Sequence, residues 1–404
     1  MNIGIVSTWF ERGAAYVSRQ FMDVLQQTDH VFIYARGGEK YAQGNPKWDM
    51  PNVHWGKKSI GKRGVFGGTY IDRSDFLKWL KRNRIDVVLF NEQQWFQPMK
   101  WCKELSIKTI AYVDYYNEKT IPLFDIYDSL ICNTKRHTFA FRNHPQVNYI
   151  KWGTDTNLFK PAERKNEKLT FFHSAGMAPM RKGTDILLRA FFSVKNRKGT
   201  LLLIHTQVDL LSLFPAMKDM ILNMVSEGSL EIVTKTITAP GLYYRGDVYV
   251  YPSRLDGIGL TLMEAISSGM AVITSDNAPM NEFIDPSFGL LCKIDYEYSR
   301  LDGYYWPMCV PSEISLAGIL QDFVDGKYKI EEMKANARTY AVEELDFMKN
   351  CQSLHEIIRQ TKIREASEEL IKKINSYDFY AYKAYHRFLS PIYYAFKIIK
   401  NLRN

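Results

Sequence analysis

Two rhythms alternate along the chain. Short apolar runs, Asn2 to Ser7, His30 to Tyr34, Asp86 to Phe90, Lys108 to Val113 and Ser129 to Asn133, have the length and near-continuous hydrophobicity of strands buried on both faces. Between them, Ala14 to Gln27, Asp72 to Asn83, Trp95 to Leu105 and Lys135 to Asn143 place apolar residues three and four apart, the spacing of a helix with one buried face. The pattern restarts at Leu169 to His173 and continues through Leu201 to Thr206, Leu230 to Thr234, Val248 to Tyr251 and Ala271 to Thr274. Helices are expected to open at Gly183 and Leu260, to end at Val225 and to span Ser312 to Asp325, Ile330 to Ala341 and Glu344 to Thr361. Strands that alternate with helices build parallel sheets covered on both faces, so the fold class is α/β with doubly wound sheets. A chain of 404 residues is long for one core, and the charged run ERKNEK after Pro161 marks a division. Residues 1–160 therefore read as one domain, 161–345 as a second, and 346–404 as a closing helix with a basic aromatic tail. Two stretches keep neither rhythm: Gly37 to Gly68, rich in glycine and polar residues, and Tyr296 to Pro311, an aromatic loop.

The chemistry concentrates in Asp247 to Leu291. There a buried strand passes through a loop, Ser253 to Gly259, into a short helix from Leu260 to Ser268, a stop at Gly269 and the next strand. Gly257 and Gly259 remove two Cβ atoms where the helix begins. Backbone N–H groups, including those that open the helix at Leu260 and Thr261, can then approach a ligand closely, and such a helix start suits phosphate. Asp256 in the loop and Glu264 in the first turns of the helix flank that position, and carboxylates beside a phosphate site hold the hydroxyls of a ribose or a sugar. Taken singly, the glycines read equally as a tight turn and Glu264 as a favourable charge near a helix start.

Other candidates lie at comparable turns. Arg181 and Lys182 precede the helix that Gly183 opens, where their side chains either point to a diphosphate or form an exposed basic turn. Gly13 sits between the first strand and the first helix, a place open to phosphate contact and to an ordinary βα turn alike. The strand ending at Val113 delivers Asp114 to the carboxyl edge of its sheet, to meet a ligand there or to cap the next helix. His137 and His144, seven residues apart with no third partner, read as solvated surface. The five cysteines are scattered, without Cys-x-x-Cys or a nearby histidine pair, so neither a disulfide framework nor a zinc site is expected and a reducing cytosol fits. MNIGIVSTWF lacks a basic region followed by a long apolar stretch, and no run reaches the ~18 apolar residues of a spanning helix.

The string PSRLDGIGLTLMEAISSGMAVITSD resembles the donor-binding signature of family 4 of the retaining glycosyltransferases. KWGTDTNLFKP, with Gly153, Asp155, Phe159 and Pro161, resembles that family's link between domains, and the likeness extends over roughly residues 1 to 362. The resemblance implies the GT-B fold: two Rossmann-like domains facing across a cleft, with a C-terminal helix that crosses back to the first. It implies transfer, with retention, of a sugar from a nucleotide-sugar to a glycan or lipid-linked acceptor in cell-surface polysaccharide synthesis. The co-substrate would be a UDP- or GDP-sugar, with no metal or other cofactor. Of the family's two acidic positions separated by seven residues, Asp256 would position the sugar and Glu264 would hold the ribose. Arg181 and Lys182 would stabilise the leaving diphosphate, so Asp256, Lys182 and Arg181 form the catalytic set. Gly13, Gly257, Gly259, Leu260 and Thr261 would complete the donor contacts, Asp114 would touch sugar or acceptor, and Gly37 to Gly68 would face the acceptor. This chain departs from the pattern at Asp256, which replaces a glutamate, at Met177 where an arginine is expected, at Val113 in place of a histidine, at Ala14 in place of a second glycine and at Trp152 in place of a small polar residue. A transferase acting on nucleic acid or protein, and a non-catalytic partner with the same fold, are the alternatives.

Charge adds a further partner. Residues 371–404 hold seven basic residues against Asp378 alone, two thirds of the net charge of +9. On a helix Tyr385, Phe388, Leu389, Ile392, Phe396 and Ile399 share a face, with Lys383, Arg387, Lys397, Lys400 and Arg403 mostly off it. An aromatic face edged by cations suits an anionic membrane surface, which would hold this otherwise cytoplasmic chain on the inner face of the plasma membrane. Packing on the first domain or on a second subunit is the alternative. Charge gathered in an aromatic tail rather than along a groove argues against a nucleic-acid partner.

Overall fold

The computed structural model of the protein describes residues 1–37, 41–57, 69–163 and 166–378. The tail from residue 379, with the aromatic and basic face expected there, lies outside the described residues, as do parts of the polar stretch between Gly37 and Gly68. The chain divides into two compact units, one of Met1–Asn133, His137–Ile150 and the residues from Cys351 onward, the other of Lys151–Asn350 with Thr134–Arg136.

In the first unit the elements follow as β1 (Asn2–Ser7), α1 (Gly13–Leu25), β2 (His30–Ala35), β3 (Val53–Trp55), α2 (Arg73–Arg82), β4 (Val87–Asn91), α3 (Gln97–Glu104), β5 (Lys108–Val113), β6 (Ser129–Cys132), α4 (Lys135–Ala140) and β7 (Val147–Tyr149). Every pair in its sheet is parallel, in the order β3-β2-β1-β4-β5-β6-β7. Runs such as VVLFN in β4 are buried throughout, as strands covered by helices on both faces must be. β3 falls inside the stretch that kept no rhythm. Three residues are too few to show a period, and nearby Trp48, fully buried, accepts a 2.8 Å hydrogen bond from the Trp9 indole through its carbonyl.

The two histidines expected at the surface are buried instead. His137 Nδ1 lies 2.6 Å from the Tyr116 hydroxyl, and His144 Nε2 lies 3.2 Å from the Tyr127 carbonyl oxygen. Burial pushes the His144 imidazole below its ordinary pKa. Each ring is a satisfied core group, so spacing alone misplaced them.

The second unit comprises β8 (Leu169–Gly176), α5 (Thr184–Ser193), β9 (Thr200–Thr206), α6 (Leu210–Leu213), α7 (Lys218–Ser226), β10 (Leu230–Thr234), β11 (Val248–Tyr251), α8 (Leu260–Ser267), β12 (Ala271–Ser275), β13 (Gly289–Cys292), β14 (Ile294–Tyr298), β15 (Met308–Pro311), α9 (Glu313–Val324), α10 (Ile330–Glu344) and α11 (Phe347–Asn350). Six strands form a parallel sheet in the order β10-β9-β8-β11-β12-β13. Ile186, Leu187 and Phe191 of α5 pack with Leu202, Val250, Ile273, Leu316 and Leu320 in its core. The stretch expected as an aromatic loop is in fact a hairpin, with β14 and β15 antiparallel.

The segment preceding β8 is locked to this unit. A Cβ at Gly153 would stand 2.3 Å from the Leu345 carbonyl oxygen, so only glycine fits where Thr154 bridges to Asp346. Trp152 is fully buried with its ring 5.0 Å from that of Phe347. These contacts also end the single helix expected over Glu344 to Thr361. Asp346 is drawn into the bridge, and the chain resumes as α11, then α12 (Ser353–Gln360) and α13 (Glu368–Asp378), both in the first unit.

Candidate functional site

In the second sheet the chain leaves β8 toward β9 on one side and later returns to β11 on the other. The loops after β8 and β11 therefore separate at the carboxyl edge, the place where open α/β sheets form a ligand crevice. Arg181 and Lys182 lie in the first loop and Asp256 in the second. The Arg254 N–H donates to the Arg181 carbonyl at 2.8 Å, which holds the two loops side by side.

Glycine permits the approach. Gly183 opens α5 at φ 72°, and a Cβ there would stand 1.9 Å from the Pro252 carbonyl oxygen. Beneath it the buried His173 bridges the Val250 carbonyl oxygen and the Thr184 hydroxyl, each at 2.8 Å, and burial pushes its pKa down to about 4. Gly259 opens α8 at φ 84° and offers no side chain to the first-turn N–H groups of Leu260 and Thr261. The Gly257 N–H turns inward and donates to Asp256 Oδ1 at 2.8 Å.

The structure brings Arg181, Lys182, Asp256 and Glu264 together around this crevice. Arg181 Nη1 lies 3.2 Å from Asp256 Oδ2 and 2.5 Å from the Leu255 carbonyl oxygen. Tyr251 also donates its hydroxyl to Asp256 Oδ2. Burial alone would raise the Asp256 pKa, but Arg181 and Lys182 outweigh it and hold the carboxyl below its ordinary value. Lys182 Nζ donates to the Ser174 carbonyl at 3.2 Å and lies 5.5 Å from the centre of the Tyr251 ring, with burial lowering its pKa against the pull of Asp256. Glu264 accepts from the Tyr243 hydroxyl at 2.5 Å, and burial raises its pKa although that hydroxyl and Lys182 pull it down. The site thus carries two cations and two acids, the acids held in opposite directions from their ordinary range. Such divergence is characteristic of functional clefts.

Met177, at the position where an arginine was expected, is 75% exposed. Gly13 and Asp114 belong to the first unit, Gly13 as the first residue of α1 and Asp114 directly after β5. Sequence reading missed the tyrosines. Tyr243, Tyr249 and Tyr251 form a buried row under the site, with Tyr249 and Tyr251 stacked at 5.7 Å and Tyr243 at 5.9 Å from Tyr249. The only available signal was two tyrosines, at alternate positions of β11, immediately before the loop.

Residues 168–297 match the family described as glycosyl transferases group 1. The matched stretch lies wholly within the second unit, from the strand before the first crevice loop to the hairpin. Two curated relatives match over 176 residues, 39% of this chain. The lipopolysaccharide core biosynthesis mannosyltransferase LpsB of Rhizobium meliloti is 26% identical over 48% of its length. Its counterpart LpcC of Rhizobium leguminosarum bv. viciae is 29% identical over 47%. The chain thus spans about half the length of the curated relatives it matches. Among solved structures, Anabaena Alr3699/HepE in complex with UDP superposes with a TM-score of 0.70 at 14% identity, covering 89% of this chain and 99% of that one. At that identity the likeness shows the fold, that of GT-B glycosyltransferases with two Rossmann-like domains. The residues that match this family include Arg181, Lys182, Asp256 and Glu264, the four that the crevice assembles.

Proposed function

We propose that the protein is a retaining glycosyltransferase that moves a sugar from a nucleotide-sugar to a glycan or lipid-linked acceptor in cell-surface polysaccharide synthesis. The observation that carries this reading is the cluster at the edge of the second sheet: Arg181 and Lys182 on one loop, Asp256 on the other and Glu264 on α8. A leaving nucleoside diphosphate gains negative charge in the transition state, and two fixed cations beside an uncapped helix start are arranged to stabilise it. Glu264, buried and joined to Tyr243, suits a ribose diol, while Asp256, kept ionised by Arg181 and Lys182, orders the loop that would hold the sugar. In this reading the basic side chains do the work of charge neutralisation and no metal takes part. Gly13 and Asp114 are assigned to the donor phosphates and to the sugar or acceptor. The relatives named for lipopolysaccharide core synthesis support an acceptor in a surface polysaccharide, and the neighbour bound to UDP supports a uridine or similar diphosphate donor. Attachment of residues 371–404 to an anionic membrane face would bring a lipid-linked acceptor within reach.

A panel of UDP-, GDP-, ADP- and dTDP-sugars tested by thermal shift without added metal decides the donor. A ligand at a hundred times its Kd stabilises the native state by about 2.7 kcal/mol. One nucleotide class should raise the melting temperature of the wild type and leave Glu264→Ala unmoved. If no nucleotide shifts a folded wild type, the non-catalytic alternative replaces this reading.

A further inference from the structure

A cavity of about 410 Å³ is walled by α5, the β14–β15 hairpin and α9, with Met180 and Arg254 of the two crevice loops in its lining. Its volume is within the ~300–1,000 Å³ usual for small-ligand sites. Tyr296 and Tyr298 stand two apart on β14, so they share a face, and their ring centres lie 6.3 Å apart with the planes inclined by 48°. They are 61% and 41% exposed, large apolar surfaces held in water by a two-stranded sheet. The rest of the lining is mixed, with Arg189, Arg254, Asp295 and Glu313 beside Met180, Ile186, Val310 and Pro311. Arg189 Nε meets Glu313 Oε2 at 2.6 Å, and Arg254 meets both Asp185 oxygens at 2.7 and 2.8 Å. Asp295 adds an exposed carboxylate.

The charges decide the ligand class. Each guanidinium is already matched by a carboxylate, so the wall offers no surplus positive charge to a phosphate or a polyanion. It does offer directional acceptors and N–H donors in the same cavity as two inclined aromatic rings. A pyranose has the complementary form, with weakly positive C–H groups on its flat face and hydroxyls around its edge. We infer that the hairpin cavity is a binding site for neutral oligosaccharide, with Tyr296 and Tyr298 as the stacking platform and Arg189, Glu313 and Asp295 as the hydroxyl partners. The site is separate from the nucleotide-sugar contacts proposed above and does not depend on them. The hairpin reaches the crevice loop through the Cys309 N–H, which donates to the Arg254 carbonyl at 2.9 Å, so a glycan seated here would lie next to that loop.

The test uses the full chain with maltotriose, mannotriose and chitotriose at millimolar concentration, read by saturation-transfer NMR, and UDP thermal shift measured in parallel. Wild type should transfer saturation to the ring protons of at least one trisaccharide. The double variant Tyr296→Ala, Tyr298→Ala should weaken that binding about tenfold, since each ring supplies one stacking contact. Asp295→Ala should weaken it less, and none of the variants should change the UDP shift. No transfer from the folded wild type to any of the three sugars overturns the inference, as does undiminished transfer from the double variant. Sugar binding with no shift from any of the four nucleotide classes would remove the proposed activity and leave this site standing.

Discussion

Each acid of the candidate crevice rests on a phenol. Tyr251 donates to Asp256 and Tyr243 to Glu264, so the carboxylate positions are set from below by rings the core already holds. For Glu264 this has a titration consequence. Burial raises its pKa and the Tyr243 hydroxyl opposes that rise. In Tyr243→Phe that hydrogen bond is gone and only Lys182 still pulls the pKa down, so the carboxyl should titrate higher than in the wild type. If the ionised carboxylate holds the ribose, donor affinity is lost as pH falls, and the variant should lose it at higher pH than wild type. Calorimetric Kd values for the stabilising nucleotide-sugar across pH 5 to 8 would show this; superimposable profiles would mean that Glu264 is not the titrating contact. The four charged residues of the site were legible in the sequence because a strand-loop-helix rhythm fixes which turn each occupies. The tyrosines were not, because alternate aromatics in DVYVYP read as ordinary strand residues, and nothing in the string says where a hydroxyl points. His137 and His144 failed for a related reason, since their partners Tyr116 and Tyr127 are contributed from distant turns.

Regular elements announced themselves when they were long or continuously apolar. β5, β10 and β11 lie where the apolar runs put them, whereas β3 and the β14–β15 hairpin, short and aromatic, did not reveal their pairing. Helix α13 shows what an element can owe to one buried charge. Its last residue, Asp378, faces the start of α3, where Gln97 Nε2 lies 2.6 Å from Oδ2, and burial pushes the carboxyl up to about 6 from its ordinary 3.8. A carboxyl whose folded pKa is raised contributes its full share below the unfolded value and loses it as pH rises through the folded one. Docking of α13 should therefore weaken between about pH 4 and 6, by on the order of 3 kcal/mol. Asp378→Asn should flatten this dependence and slow amide exchange in α13 at pH 7.5. Equal exchange in the two proteins would refute the assignment.

At the scale of the molecule the two units answer acid differently. His173, inside the second, is held neutral with its pKa down to about 4, so the unfolded chain gains a proton that the folded one refuses. Stability of that unit is complete above about pH 6.5 and falls as pH drops toward 4, by on the order of 3 kcal/mol, opposite in sense to the contribution of Asp378 in the first. Hydrogen exchange at pH 5 should thus show core strands β8 and β11 loosened relative to pH 7.5, with α13 more protected, not less. The division into units has one more consequence. The second is nearly continuous in sequence, whereas the first is interrupted by it: the Asp128 carboxylate takes N–H groups from Lys103 Nζ and Thr109 N at 2.6 and 2.7 Å, and from Arg364 N at 2.6 Å. A ribosome releases the chain from its amino end and domains fold as units during synthesis. The second unit, although encoded later, is then the first to be completed, and the first waits with an open core until some two hundred further residues have emerged.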